Sequence, residues 1–412
     1  TALILAASTI DGDLTVRSGN ASGITDSGTV TVGGNLAATT DANSGLINLG
    51  TLAVDGTVAL TTNGSGNATV VNDAGLNFAA STVGGNLAAT ATTGNMTDSG
   101  ALTIAGTTTL ITSANDATIA LDTTTNAFTG AVTITTNDNS GTDADVTIDG
   151  GTTALVLAAS TIDGDLTVRS GNASGITDSG TVTVGGNLAA TTNANSGVID
   201  MGTLAVDGTV QLTTNGSGNA TVVNDAGLNF AASTVGGNFA ATATTGNMTD
   251  SGALTVSGTS SFTTSANNAD ITLNNTNALT GAVALNTSGS TGHARIDNGT
   301  TALNIAASSV GGNLTLTSGN ASGITDSGTV TVGGWLRATT DANNGLINLG
   351  TLAVDGTVQL TTNGSGNATV VNDAGLNFAA STVGGNLAAT ATTGNMTDSG
   401  ALTIAGTSSF TT

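Results

Sequence analysis

The amino-acid sequence predicts an all-β chain that folds as a parallel β-solenoid. A segment of about 150 residues recurs along the chain, and a shorter unit punctuated by glycine recurs inside it. Around each of these glycines, apolar residues alternate with polar ones. Short units of this kind cannot bury their apolar side alone, so they become stable by stacking on one another.

The long repeat divides the chain into 1–152, 153–300 and an incomplete third copy, 301–412. Its opening, TALILAASTIDGDLTVRSGN, starts at Thr1 and has near-copies at Thr153 and Thr301. Because stacked repeats share one core, we expect a single continuous rod over 1–412. We also expect this rod to be a fragment of a longer chain or the subunit of a filament.

The shorter unit is anchored by a glycine that follows an apolar residue by two positions. Around Gly56, for example, Val54 precedes the anchor, and Val58 and Leu60 follow it. This alternation is typical of strands that bend at a glycine, where the missing Cβ frees the backbone. The anchors of the first copy are Gly12, Gly34, Gly56, Gly85, Gly106 and Gly130, and the series restarts at Gly164.

Carried on to Gly406, these anchors predict about 17 coils, each with about three short strands joined by Gly, Asn, Asp and Ser turns. We expect a right-handed coil, because parallel crossover connections have that hand.

One position that differs between the three copies of a segment indicates which side of its strand faces the core. The segment TLAVDGTVALTTNGSGNATVVNDAG, from Thr51, returns at Thr203 and Thr351 with a single difference, in which Ala59 becomes Gln211 and Gln359. Alternation places Val58 and Leu60 in the core and Ala59 in water. The sequence therefore predicts that this position tolerates a polar side chain.

Composition excludes several classes of function. All 27 acidic groups are Asp, the only cations are four arginines, and the net charge is -23. Such a surface repels nucleic acid and anionic lipid, so we expect no nucleic-acid partner. No apolar run is long enough to span a bilayer, so we expect no membrane insertion in this segment. The absence of Cys excludes a disulfide framework.

The units TVTVGGNL and TLAVDGTVALTT give the chain a family resemblance. It resembles the β-strand-repeat regions of giant bacterial surface exoproteins, including filamentous-haemagglutinin-like adhesins. The resemblance implies secretion and an extracellular or cell-surface location. It also implies a structural fibre or stalk segment that associates with itself end to end or laterally into a filament. The alternative is an adhesin that binds a partner cell or a surface polysaccharide.

The clearest polar pattern is an Asp two residues before a glycine. If these corners stack, carboxylates recur along the coil and predict a row of weak calcium sites, the one cofactor that the sequence suggests. The alternative, which we favour, is that each Asp accepts hydrogen bonds from turn amides. The candidate residues are Asp26, Asp73, Asp98, Asp178, Asp200, Asp225, Asp250, Asp326, Asp373 and Asp398. A second acidic group, in the longest loop, comprises Asp138, Asp143, Asp145 and Asp149.

Catalytic residues are not predicted, and we expect no enzyme. Asp11, Asp13 and Arg17 have the residue types of a polysaccharide-degrading β-helix, but a surface salt bridge is the alternative that we favour. The only imidazole, His293, lacks the neighbours of a triad. A further alternative is ice binding by an outward strip of Ala and Thr on one sheet: Ala37, Ala59, Ala88, Thr107, Thr109, Thr133 and Thr135.

Two further surface features are candidates. Trp335 and Arg337 replace the Asn and Ala of GGNLAATT and are expected to project from one face. They are a candidate contact for a neighbouring molecule or a sugar. Asn20, Asn67 and Asn95 begin Asn-X-Ser/Thr triplets, which are candidate glycosylation sites.

Overall fold

A computed structural model of the chain describes residues 1–137 and 144–412. These residues form parallel strands without helix and divide into two compact units, Thr1–Gly208 and Thr209–Thr412. Each unit is a parallel β-solenoid, which confirms the predicted fold class. The boundary lies inside the second long repeat, so the units do not coincide with the sequence copies. A single rod over 1–412 stays a prediction.

The first unit contains the strands β1 to β26. Their bounds are β1 Leu3–Leu5, β2 Ser8–Ile10, β3 Leu14–Ser18, β4 Ile24–Asp26, β5 Val30–Val32, β6 Leu36–Asn43, β7 Ile47–Val54, β8 Thr57–Asn63, β9 Ala68–Asn72, β10 Leu76–Phe78, β11 Ser81–Val83, β12 Leu87–Ala91, β13 Met96–Asp98, β14 Leu102–Ile104, β15 Thr108–Asn115, β16 Ile119–Leu121, β17 Ala127–Phe128, β18 Val132–Asn137, β19 Val146–Asp149, β20 Leu155–Leu157, β21 Ser160–Ile162, β22 Leu166–Ser170, β23 Ile176–Asp178, β24 Val182–Val184, β25 Leu188–Asn195 and β26 Ile199–Val206.

The second unit contains the strands β27 to β53. Their bounds are β27 Thr209–Asn215, β28 Ala220–Asn224, β29 Leu228–Phe230, β30 Ser233–Val235, β31 Phe239–Ala243, β32 Met248–Asp250, β33 Leu254–Val256, β34 Ser260–Asn267, β35 Ile271–Leu273, β36 Ala278–Leu279, β37 Val283–Ser288, β38 Ala294–Asp297, β39 Leu303–Ile305, β40 Ser308–Val310, β41 Leu314–Ser318, β42 Ile324–Asp326, β43 Val330–Val332, β44 Leu336–Asn343, β45 Ile347–Val354, β46 Thr357–Asn363, β47 Ala368–Asn372, β48 Leu376–Phe378, β49 Ser381–Val383, β50 Leu387–Ala391, β51 Met396–Asp398, β52 Leu402–Ile404 and β53 Ser408–Thr411.

Each turn contributes to two parallel sheets. In the first unit, β1, β4, β7, β9, β12, β15 and β18 follow one another in sheet I, and β3, β6 and β8 begin sheet II. Three short strands per turn are found in the first turn, where β1 and β2 lie in sheet I and β3 in sheet II. Elsewhere two short strands merge, as in β7, which pairs with both β4 and β5.

Apolar residues stack on their equivalents from turn to turn. One register column of sheet I runs through Leu3, Ile24, Ile47, Ala68, Leu87, Thr108 and Val132. The side chains of such a column lie at the spacing of neighbouring strands, roughly 4.8 Å. The core therefore lies between the two sheets and continues from each turn to the next within a unit.

The glycine-anchored motif changes sheet within a long repeat. Gly34 and Gly56 precede β6 and β8 of sheet II, whereas Gly85 and Gly106 precede β12 and β15 of sheet I. The wider spacings between successive anchor glycines therefore span about one and a half turns. The spacing from Gly56 to Gly85 is an example. For this reason the anchors predict too few coils: over the described residues the two units together make about 19 turns.

Burial confirms that Ala59 and its equivalents point outward, as predicted. Val58 and Leu60 are fully buried, Ala59 is half-buried, and Gln211 is exposed. In the second unit the core contains an aromatic trio, Phe230, Phe239 and Phe262. Its ring centroids lie 5.2 to 6.5 Å apart in edge-to-face contacts, a geometry that aromatic rings favour.

The anchor glycines named above, except Gly12 on the first turn, are required by close approach between turns. A Cβ on Gly106 would lie 2.2 Å from Oδ1 of Asn86 and 2.6 Å from the carbonyl carbon of Gly85, both on the preceding turn. None of the anchor glycines named above has a positive φ. The missing Cβ therefore makes room for the neighbouring turn, rather than permitting a left-handed bend.

The assignment of Leu60 to the core and Ala59 to the surface predicts effects of very different size for two adjacent substitutions. Leu60→Ala should lower the free energy of unfolding by roughly 2–5 kcal/mol, because it leaves a cavity in the core. Ala59→Gln should change it by less than about 0.5 kcal/mol, as expected for a surface position. Urea unfolding followed by circular dichroism measures both changes, and equal losses would refute the assignment.

The close approach predicts which glycines tolerate a methyl group. Gly106→Ala should destabilise the protein by more than about 1 kcal/mol, because the new Cβ meets backbone atoms of the preceding turn. Gly50→Ala is the matched control, since a Cβ there meets no atom within 4 Å, and it should be neutral or stabilising by up to about 1 kcal/mol. Similar melting temperatures for the two variants would contradict this account.

Candidate functional site

A ladder of side-chain hydrogen bonds joins successive turns at corners where an Asn or Asp follows a glycine. Oδ1 of Asp13 accepts the backbone N–H of Asn35 at 2.8 Å, and Oδ1 of Asn35 accepts the N–H of Thr57 at 2.8 Å. The same pattern links Asn67 to Asn86, and Asn86 to Thr107. We call this set the corner ladder. Its signal in the sequence is the Asn or Asp that follows the anchor, as in GGNL and DGDL.

In the second unit the corner ladder includes the only imidazole. The N–H of His293 donates to Oδ1 of Asp270 at 2.7 Å, and Nδ1 of His293 accepts the N–H of Asn313 at 2.9 Å. Oδ1 of Asn313 in turn accepts the N–H of Trp335 at 3.0 Å. In this structural ladder, His293 thus takes the place that Asp145 has in the first copy.

Three of the predicted calcium candidates instead accept hydrogen bonds from the next turn. The carboxylate of Asp26 accepts the N–H of Gly50 at 3.1 Å, and the N–H and Oγ1–H of Thr51 at 2.6 and 2.8 Å. The same contacts join Asp178 to Gly202 and Thr203, and Asp326 to Gly350 and Thr351. These bonds support the amide-capping alternative.

Two further candidates are held in a related way in sheet II. Asp250 is 8% exposed, and its carboxylate accepts the N–H of Asn274 at 2.9 Å and Nδ2–H of Asn277 at 2.9 Å. Asp98 likewise accepts the N–H of Asp122 and Nδ2–H of Asn126. A buried carboxylate needs such donors, because burying it without them is costly.

The Asp corners do not stack on one another. The register partner of Asp26 is Leu5, in sheet I, and that of Asp98 is Phe78, in sheet II. Within 1–137 and 144–412, no three acidic or imidazole side chains lie close enough to share a metal ion. Cation binding stays a prediction for these residues. The exposed candidates are Asp73, Asp200, Asp225, Asp373 and Asp398.

The acidic loop is described in part. Asp138 and Asp143 lie outside the described residues. Oδ1 of Asp145 accepts the N–H of Asp165 at 2.8 Å, as a member of the corner ladder. The side chain of Asp149 is buried, and its Oδ1 accepts the N–H of Gly151 at 2.8 Å. Both described carboxylates therefore bind backbone.

Arg17 forms the surface salt bridge that the sequence favoured, although with a partner it did not name. Its Nε and a terminal nitrogen donate to the two oxygens of Asp41 at 2.5 and 2.8 Å. These hydrogen bonds hold the pKa of the Asp41 carboxyl below its usual value. The stabilisation is present above the usual Asp pKa and is lost as the pH falls through the lowered one. Because both groups are exposed, the pair contributes little.

The structure brings Trp335 and Arg337 to one shallow depression of about 290 Å³ in the second unit. Trp335 is 42% exposed, and Arg337 is exposed. Thr357 and Gln359 of the next turn complete the polar wall, and Gln359 is the register partner of Arg337. The buried Leu336 lies beneath.

A second depression, of about 320 Å³, lies in the first unit. Asp55, Asn77, Asn95 and Thr97 contribute its polar lining. Oδ1 of Asn77 is buried and has no hydrogen-bond partner among the described residues. An unpaired buried acceptor is unusual in a folded protein. This depression lacks an aromatic side chain and a cation.

The candidate glycosylation sites differ in exposure. Asn67 and Asn95 are exposed, and their Oδ1 atoms accept the N–H groups of Asn86 and Thr118 at 2.8 and 2.9 Å. Asn20 is half-buried, and its Oδ1 accepts the N–H of Ser22. Modification of these three residues stays a prediction.

The expected strip of Ala and Thr on one sheet is wrong. Ala37 and Ala59 pair in sheet II, whereas Ala88, Thr109 and Thr133 stack in sheet I. The motif changes sheet between these residues, so the strip is divided. A different outward column, Thr39, Thr61, Thr82 and Thr103, is continuous in sheet II.

Amide capping predicts that stability is independent of calcium. The melting temperature should be the same in calcium and in chelator, because the carboxylates of Asp26, Asp178 and Asp326 already accept backbone donors. Asp26→Ala should lower it in both solutions, since Gly50 and Thr51 lose their acceptor. A rise with calcium that Asp26→Ala abolishes would restore the metal hypothesis.

Comparison with protein families gives one match. The model for repeats of unknown function (DUF5649) matches residues 1–45, 65–135, 143–199, 217–286 and 365–412, more than half of the chain. Neither the curated proteins nor the solved structures yield a match, so the comparisons do not identify haemagglutinin-like adhesins. Among the residues described, no helix has the length and apolar character to cross a membrane. The chain belongs to the DUF5649 family of repeats.

Proposed function

We propose that this chain is a structural segment, a stalk or fibre spacer, of a large secreted or cell-surface protein. The observation that carries the proposal is the use of polar side chains. Asp26, Asn35 and Asn86 bind the backbone of the next turn rather than converging on a cleft. Side chains used in this way hold a solenoid together, and they do so at several turns of each long repeat.

The exterior of the chain suits an extracellular role. A net charge of -23 keeps a long repeat protein soluble. Outward positions accept change at little cost to the core, as at Ala59 and Gln211. The finer resemblance to filamentous-haemagglutinin-like adhesins, and assembly into an extracellular filament, form part of the same proposal.

The residues that suggested catalysis have structural partners. His293 accepts a backbone N–H through Nδ1, Asp13 accepts one from Asn35, and Arg17 is paired with Asp41. Each of these side chains is therefore engaged by the protein itself. The geometry therefore favours a structural role over a polysaccharide-degrading one. The divided strip of Ala and Thr similarly weakens the ice-binding alternative.

Adhesion is the second candidate function, and one observation favours it. The depression beside Trp335 and Arg337 presents an aromatic face and a cation together on the surface of the second unit. Exposed Trp and Arg side chains are enriched at binding sites. A stalk that also binds a surface polysaccharide would combine both functions.

Immunogold electron microscopy of producing cells tests the structural proposal. An antibody raised against residues 51–75, which recur almost unchanged from Thr203 and Thr351, should label fibres or a layer outside the cell at several points along each molecule. Cells that lack the gene provide the control. Label confined to the cytoplasm would contradict the proposal.

A further inference from the structure

We propose that the depression around Trp335 and Arg337 is a binding subsite for an acidic saccharide, such as a uronic acid residue of a polysaccharide. The inference gives a ligand class to the adhesive alternative and does not depend on the stalk role. Its basis is the juxtaposition of an exposed indole, an unpaired guanidinium and two neutral hydrogen-bonding side chains in one depression.

The depression is built from residues that depart from the repeat. Trp335 stands where the other copies have Asn35 and Asn187, and Arg337 where they have Ala37 and Ala189. Gln359 stands where the first copy has Ala59 and the second has Gln211. The register places Arg337 beside Gln359 on the next turn. Two departures found only in the third copy, Trp335 and Arg337, therefore lie beside a polar outward residue.

Trp335 is at a position where Asn contributes a rung of the corner ladder. In the first copy, Oδ1 of Asn35 accepts both the N–H and the Oγ1–H of Thr57. An indole has a donor but no acceptor, so Trp335 cannot offer this contact to Thr357. Indole at this corner therefore gives up an inter-turn hydrogen bond while exposing a large aromatic face.

Arg337 is available to a ligand. Its register neighbours are Thr315 and Gln359, and no carboxylate lines the depression. Within the described residues, no hydrogen bond or ion pair joins its guanidinium to the protein, in contrast to that of Arg17, which is paired with Asp41. A free guanidinium binds a carboxylate through two parallel N–H donors.

The chemistry of the remaining wall fits a sugar ring. The indole face can pack against the C–H groups of a pyranose, and Gln359 and Thr357 can exchange hydrogen bonds with its hydroxyl groups. A volume of about 290 Å³ is at the lower end of the range for small-ligand sites. The net charge of -23 repels anions at long range, so attraction to a uronic acid residue rests on the Arg337 guanidinium, which can neutralise one carboxylate locally.

The intrinsic fluorescence of the protein reports directly on this site, because Trp335 is the only Trp and the chain has no Tyr. A galacturonic acid trisaccharide should change the emission saturably. Its fully methyl-esterified form is the matched ligand without charge and should bind at least about tenfold more weakly. Isothermal titration calorimetry measures the same affinities without the indole signal.

Arg337→Ala should weaken binding of the acidic trisaccharide by about tenfold or more and leave the weaker binding of the ester unchanged. Arg295→Ala is the control, because Arg295 lies two turns away in the same outward column, and it should have no effect. Trp335→Asn restores the residue of the first copy, so it should fold, and calorimetry should detect no binding.

Absence of a saturable signal in both assays would overturn the proposal. Equal affinity for the acid and the ester, or an Arg337→Ala variant that binds as tightly as the wild type, would overturn it as well. Circular dichroism and the melting temperature confirm that each variant is folded. A negative result in folded protein would leave the stalk proposal intact, since that proposal is tested by the location of the chain.

Discussion

The in-register stacking of each turn on the turn before it is the constraint on which the rest of this structure depends. In sheet I of the first unit, Leu3, Ile24 and Ile47 occupy successive positions of one column. A shift of one residue would turn every apolar side chain of a strand toward water. Close stacking also explains why Gly106 has no room for a Cβ and why Asn86 reaches the backbone of the next turn.

This constraint separates structural positions from positions that are free to change. Inward residues and corner residues have partners on adjacent turns, so their substitution affects two turns at once. A substitution at an outward residue such as Ala59 or Gln211 changes only the surface of its own turn. Function in such a protein can therefore be added at outward positions and at single corners. Trp335 and Arg337 illustrate this, because they alter the surface of one turn while Leu336 between them stays buried.

Local alternation was sufficient to predict the fold class and the facing of Val58, Ala59 and Leu60. It did not predict the number of turns, because strands of sheet I and sheet II have the same apolar alternation. The change of sheet between Gly56 and Gly85 is visible only in the strand pairing. Amide capping by Asp26 could be suggested from the sequence, but its partners could not, since Gly50 and Thr51 follow a full turn later. The sequence identified Trp335 and Arg337 as unusual, whereas the neighbouring Gln359 emerged only from the register.

Distances between residues one turn apart test the central claim most directly. Thr61, Thr82, Thr103 and Ala127 are successive outward residues in sheet II, and the chain contains no Cys to interfere with spin labelling. Nitroxides on Thr82 and Thr103 should show strong dipolar broadening, because neighbouring strands are roughly 4.8 Å apart. Labels on Thr61 and Ala127, three turns apart, should show much less. Equal broadening in the two pairs, or none in the first, would contradict the stacked register.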